Sequence, residues 1–167
     1  MKRKALDERI DQYGLTNGID KHLRSRYEQI RTIRNRIDEI ISNDHAYFIT
    51  FTIAPEHYGK PREHYQRKIK EAMAFASRWI ANEDWGDQHG RYHFHAVACF
   101  GDRYDYTMQN HALKSVWTYG NIVFSPIYSK NSEAIANYIA KLSNHCIKEK
   151  TGLIFYSRKK RGLAHAS

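Results

Sequence analysis

Residues 78–100, RWIANEDWGDQHGRYHFHAVACF, constrain this fold more than any other stretch. RYHFHAVACF at 91–100 is aromatic and apolar, which suits a buried strand. Gly86-Asp87-Gln88-His89-Gly90 ahead of it is a polar turn bounded by glycines. Residues 78–85 read as a shorter strand leading into that turn. Strands joined so tightly pair antiparallel, because a parallel pair needs a crossover of a dozen or so residues. A second run, AYFITFTI at 46–53, has the same strand chemistry and ends at Ala54-Pro55.

Helical periodicity fills much of the rest. Leu23, Ile30, Ile33, Ile37 and Ile40 recur at helical spacing within 19–42. Residues 61–77 repeat the pattern, with Pro61 tolerated in the first turn. Residues 107–117 read as a helix before Gly120, and 121–127 as a strand. Residues 131–147 read as a helix capped by Asn131 or Ser132. The expected fold is therefore α+β, a central antiparallel sheet with helices packed on it. The chain has 167 residues and no repeat or Pro/Gly-rich linker, which fits one main domain.

Charge narrows the partner. Lys and Arg number 27 against 18 Asp and Glu, a net charge of +9. Residues 1–45 carry 10 basic and 8 acidic groups, residues 46–105 carry 8 of each, and residues 106–167 carry 9 and 2. A basic final third rich in Tyr and Phe suits a polyanion with flat bases, a single-stranded nucleic acid. The candidate contacts are Arg91, Lys114, Lys130, His145, Lys148, Arg158, Lys159, Lys160 and Arg161. Tyr92, Phe94, Tyr119 and Phe124 are candidate stacking platforms. No apolar run approaches the roughly 20 residues of a membrane helix. The start MKRKALDERID lacks the apolar stretch of a secretory signal. Cys99 and Cys146 read as reduced thiols, so the expected setting is cytoplasmic. No phosphate-loop motif appears, so unwinding would fall to a host helicase.

Two constellations carry chemistry. His93 and His95 alternate along a strand, so both imidazoles point to one face and can share a metal ion. Glu83 and Asp84 lie just before the turn; a carboxylate from there, two imidazoles and open positions suit a divalent cation acting on a phosphoryl group. The two acids point to opposite faces of a strand, and the sequence leaves the choice open. The second constellation is Tyr138, Lys141 and His145 on one side of the 131–147 helix, next to the stripe Ile135, Ile139, Leu142 and Cys146. A tyrosine beside a lysine on a rigid helix can serve as a nucleophile.

Taken together these motifs resemble the HUH endonucleases, specifically single-tyrosine rolling-circle replication initiators. The matching elements are Phe48-Ile49-Thr50-Phe51-Thr52, then His93-Phe94-His95, then Tyr138-Ile139-Ala140-Lys141. Asp84-Trp85-Gly86, the Trp117 to Val123 stretch with Gly120 inside it, and Tyr156-Ser157-Arg158 resemble initiators of small single-stranded DNA phages. The likeness spans 47–158. It implies about five antiparallel strands with the histidines on a central one. It also implies that Tyr138 attacks a scissile phosphate in single-stranded origin DNA, forming a 5′-phosphotyrosyl bond. His93, His95 and Asp84, with Glu83 in reserve, would hold Mg²⁺ or Mn²⁺, and Lys141 would contact the phosphate or tune Tyr138. Host helicase and polymerase are the implied partners. The expected division is a basic N-terminal helical extension (1–45), an HUH domain (46–158) and a basic tail (159–167). The alternatives are a plasmid relaxase or transposase of the same chemistry, a non-catalytic binding module, and a phosphoesterase that uses water.

Overall fold

The structure, a computed structural model, describes residues 21–43, 45–85, 91–100, 106–149 and 154–156; within these, side chains 21–26, 85, 106–109, 144–149 and 154–156 are not described. The helices are α1 (Lys21–Ile41), α2 (Arg62–Ala72), α3 (Tyr106–Val116) and α4 (Ser129–Glu149). The strands are β1 (Ala46–Thr52), β2 (Ala76–Trp85), β3 (Tyr92–Phe100), β4 (Ile122–Pro126) and β5 (Ile154–Tyr156). They form a five-stranded sheet in the order β4-β1-β3-β2-β5 with every neighbouring pair antiparallel. The fold is α+β, with the histidine strand at the centre, as the sequence leads one to expect.

Strand alternation divides the core into two layers. Tyr47, Ile49 and Phe51 of β1, Tyr92, Phe94, Ala96, Ala98 and Phe100 of β3, and Phe124 of β4 face one way. They pack against Tyr65 and Ile69 of α2, Leu113 of α3 and Trp117 just beyond it. Ile80, Val97 and Cys99 face the other way, against Ile33, Ile37 and Ile40 of α1 and Ala136 and Ile139 of α4. An Arg78–Glu39 ion pair ties α1 to β2, and Arg34 donates to Asn137 Oδ1 of α4 at 3.1 Å. The C-terminal half of α1, read from sequence as part of an extension, is thus an integral wall of the second layer.

Three expectations are corrected. The 61–77 helix stops at Ala72, because Ala76 N–H turns back to Met73 O and Ala76 already pairs with Phe100. The 131–147 helix starts at Ser129, so Asn131 is not its cap. Asn131 Oδ1 instead reaches back to accept the Tyr128 N–H at 2.8 Å, one half of a capping box. Tyr92, Phe94 and Phe124 are not stacking platforms: they are buried in the first layer, where Tyr119 packs against them, partly buried. Their strand positions alternate with those of the histidines, so their rings serve the core. The 86–90 turn and the tail lie outside the described residues.

Candidate metal centre and nucleophile

The second layer leaves a polar corner where β1, β3 and β2 end together. The register sets Thr52 and Asp84 on either side of His93, and Thr50 and Asn82 on either side of His95. All six side chains share the face that α4 covers. Asp84 Oδ2 lies 3.3 Å from His93 Nε2 and 3.5 Å from His95 Nε2. One ligand atom from each of the three residues lies within 4.8 Å of the other two. Glu83 goes to the opposite face. There its carboxylate accepts the Tyr92 hydroxyl at 2.6 Å and pairs with Arg62 at 3.2 Å. The alternation that leaves the choice of acid open in the sequence therefore assembles Asp84, not Glu83, with the histidines.

The trio fits a small divalent cation. Ligand atoms about 2.1 Å from a shared ion stand about 3.0–3.5 Å apart at angles between octahedral and tetrahedral. The two Asp84 distances fall in that interval and exceed the about 2.7–2.9 Å of a charge-assisted hydrogen bond. Burial, helped by neighbouring His93 and opposed by Asp84, pushes His95 down to a pKa of about 4. A neutral imidazole has a lone pair to give to a metal.

Two side chains hold the His95 ring. Thr50 Oγ1 lies 3.1 Å from its Nδ1, and Phe48 stacks on it at 5.3 Å and 19°. Deeper in, Asn82 is fully buried, with Oδ1 at 3.2 Å from the Ser143 hydroxyl of α4; its Nδ2 has no partner among the described residues. Sequence reasoning does not single out Thr50, Phe48, Asn82 or Ser143 as site residues. The available signal is parity, since Phe48 and Thr50 alternate with fully buried Ile49 and Phe51 on the opposite face of β1.

Tyr138 comes from α4. Ala136, Ile139 and Ser143 face the sheet, which puts Tyr138 at the margin of the buried stripe, 39% exposed. Its hydroxyl donates to Asp84 Oδ2 at 3.1 Å, and its ring meets His95 at 5.3 Å and 76°. The expected nucleophile and the trio are therefore brought together. Lys141, one turn further on, is exposed. Arg91 is exposed at the entry to β3, and Lys130 sits 5.9 Å from the Tyr128 ring. Lys114 is exposed on α3, across the sheet from Tyr138. The side chains of His145 and Lys148, and residues Arg158, Lys159, Lys160 and Arg161, lie outside the described set.

Fold and site define a one-sheet α+β protein with a carboxylate–imidazole centre and a tyrosine hydroxyl on its rim. The chain matches the family of the replication-associated protein ORF2 over residues 46–143, more than half its length, and it belongs to that family. Membership sets the protein in DNA replication and implies contact with DNA. No curated protein matches. Among solved structures it is similar to the hypothetical protein ORF119 from Sulfolobus islandicus rod-shaped virus 1. The two are 14% identical, with 66% of this chain and 93% of that one covered and a TM-score of 0.44. Among the described residues no helix is long and apolar enough to cross a membrane.

Proposed function

We propose that the protein is a rolling-circle replication initiator that nicks and rejoins single-stranded DNA through a covalent tyrosine intermediate. The observation that carries this reading is the 3.1 Å contact of Tyr138 with Asp84 Oδ2, the same oxygen that approaches both histidines. Asp84, His93 and His95 would hold Mg²⁺ or Mn²⁺, which when bound supplies positive charge to a phosphate oxygen. Tyr138 Oη attacks the phosphorus. The Oη–P bond forms, the bond from phosphorus to the 3′ oxygen breaks, and the freed 3′ oxygen takes up a proton to become the priming hydroxyl. The phenolic proton leaves toward Asp84 or water. Rejoining is the reverse displacement, so the phosphodiester's energy is kept in the Tyr138 ester. Lys141 lies on the outer side of the Tyr138 margin, where an ammonium would meet the incoming backbone. A host helicase and polymerase would extend the product.

The test is incubation with labelled single-stranded origin DNA and Mn²⁺, followed by a denaturing gel. The expected result is a protein–DNA adduct that Tyr138→Phe abolishes. DNA binding without an adduct under any divalent metal would instead favour a non-catalytic module. Cleavage that survives Tyr138→Phe would favour water as the nucleophile.

A further inference from the structure

We propose that Thr50 is a positioning residue: its hydroxyl accepts the Nδ1 proton of His95, which holds the imidazole in the tautomer whose bare Nε2 faces Asp84 and His93. This rests on the proposed metal site but concerns a residue outside the trio. His95 has two ring nitrogens and one proton when neutral. Nδ1 lies 3.1 Å from Thr50 Oγ1, within hydrogen-bond range, while Nε2 lies 3.5 Å from Asp84, too far for a good N–H···O bond. The proton is better housed on the Thr50 side. The opposite tautomer would aim an N–H at the ligand atoms of His93 and Asp84 and close the position an ion needs. Phe48, stacked nearly parallel to the imidazole, removes the freedom to rotate out of that arrangement. A metal-bound histidine commonly donates its other N–H to a fixed acceptor, and losing that acceptor weakens the metal.

The ladder supplies its own control. Thr52 faces His93 as Thr50 faces His95, yet among the described residues no hydrogen bond joins Thr52 to His93. The roles of the two threonines are therefore separable although their strand environment is nearly the same.

The experiment has two readouts on the full chain. Long-range ¹H–¹⁵N correlation on metal-free, histidine-labelled protein reports the tautomer, and Mn²⁺ titration reports affinity. Wild type should show His95 protonated at Nδ1. Thr50→Val should mix the tautomers and weaken Mn²⁺ about 10–100-fold, while Thr50→Ser should keep both properties. Thr52→Val should match wild type. A His95 protonated at Nε2 in wild type, unchanged Mn²⁺ affinity in Thr50→Val, or equal weakening in Thr50→Val and Thr52→Val would each overturn the proposal. A wild-type chain that binds no Mn²⁺ would sink the metal reading itself, and the tautomer, read without metal, would still decide the Thr50 bond.

Discussion

Glu83 and Asp84 are chemically near-identical neighbours with opposite fates. Asp84 meets the histidines, whereas Glu83 is buried against Tyr92 and Arg62 on the other face. A strand's alternation makes that split visible in the sequence, but which acid joins the histidines depends on a register set across the 86–90 turn. The same parity separates Tyr92 and Phe94 from His93 and His95, so the failure of the stacking expectation is legible in principle. The Thr50 bond is not, because it spans two strands 45 residues apart. The Glu83 cluster predicts a pH effect. Burial first, and then the hydrogen bond to Glu83, raise the Tyr92 pKa above its ordinary value near 10; burial also raises that of Tyr65. The folded chain keeps a proton that the unfolded chain releases near pH 10. The resulting stability is complete below pH 10 and is lost above it, at about 1.4 kcal/mol per pH unit for each proton retained. Urea midpoints should fall more steeply from about pH 9 to about pH 11.5 in wild type than in Tyr92→Phe. Parallel curves would contradict the assignment.

At the scale of elements, the stretch from Trp117 to Val123 acts as a clamp on the end of β1. The Trp117 indole donates to Thr52 O at 3.2 Å, Thr52 N–H donates to Asn121 O at 2.8 Å, and Val123 pairs with Thr50. Gly120 has φ +148, and a Cβ there would fall 2.4 Å from Thr52 O and 2.9 Å from Ala54 N, both backbone. Gly120→Ala therefore strains its own backbone and pushes against β1. The expected cost is on the order of 1–3 kcal/mol, read as a lower denaturation midpoint. A midpoint equal to wild type would mean that the β1–β4 junction gives way freely. The spacing of Trp117 and Gly120 is visible in the sequence, but its purpose needs the β1–β4 register. The boundary between α2 and β2 escapes the sequence for a related reason: 73–77 continue the apolar count of the helix, while the turn at Met73–Ala76 is made by backbone bonds that periodicity cannot reveal.

For the whole molecule, the main revision concerns α1. Its isoleucine spacing announces a helix, yet its charges and its position outside the family match suggest an appendage. Ile37 and Ile40 are fully buried against the sheet and α4. Ile37→Ala should cost about 2–5 kcal/mol, measured by denaturant unfolding of the full chain. An effect below about 0.5 kcal/mol, the size usual for surface substitutions, would show that α1 is dispensable to the core. The layout of the site has a consequence for the order in which it comes together. Asp84, His93 and His95 share one hairpin, a local unit, while Tyr138 arrives on a helix 54 residues further along the chain. Local units form before distant ones dock, and helices open and close more readily than a central hairpin comes apart. On the proposed chemistry, a newly made chain with its hairpin formed and α4 still undocked holds the ligands but has no nucleophile. Such a chain cannot cut DNA, so completion of the fold is itself the safety catch.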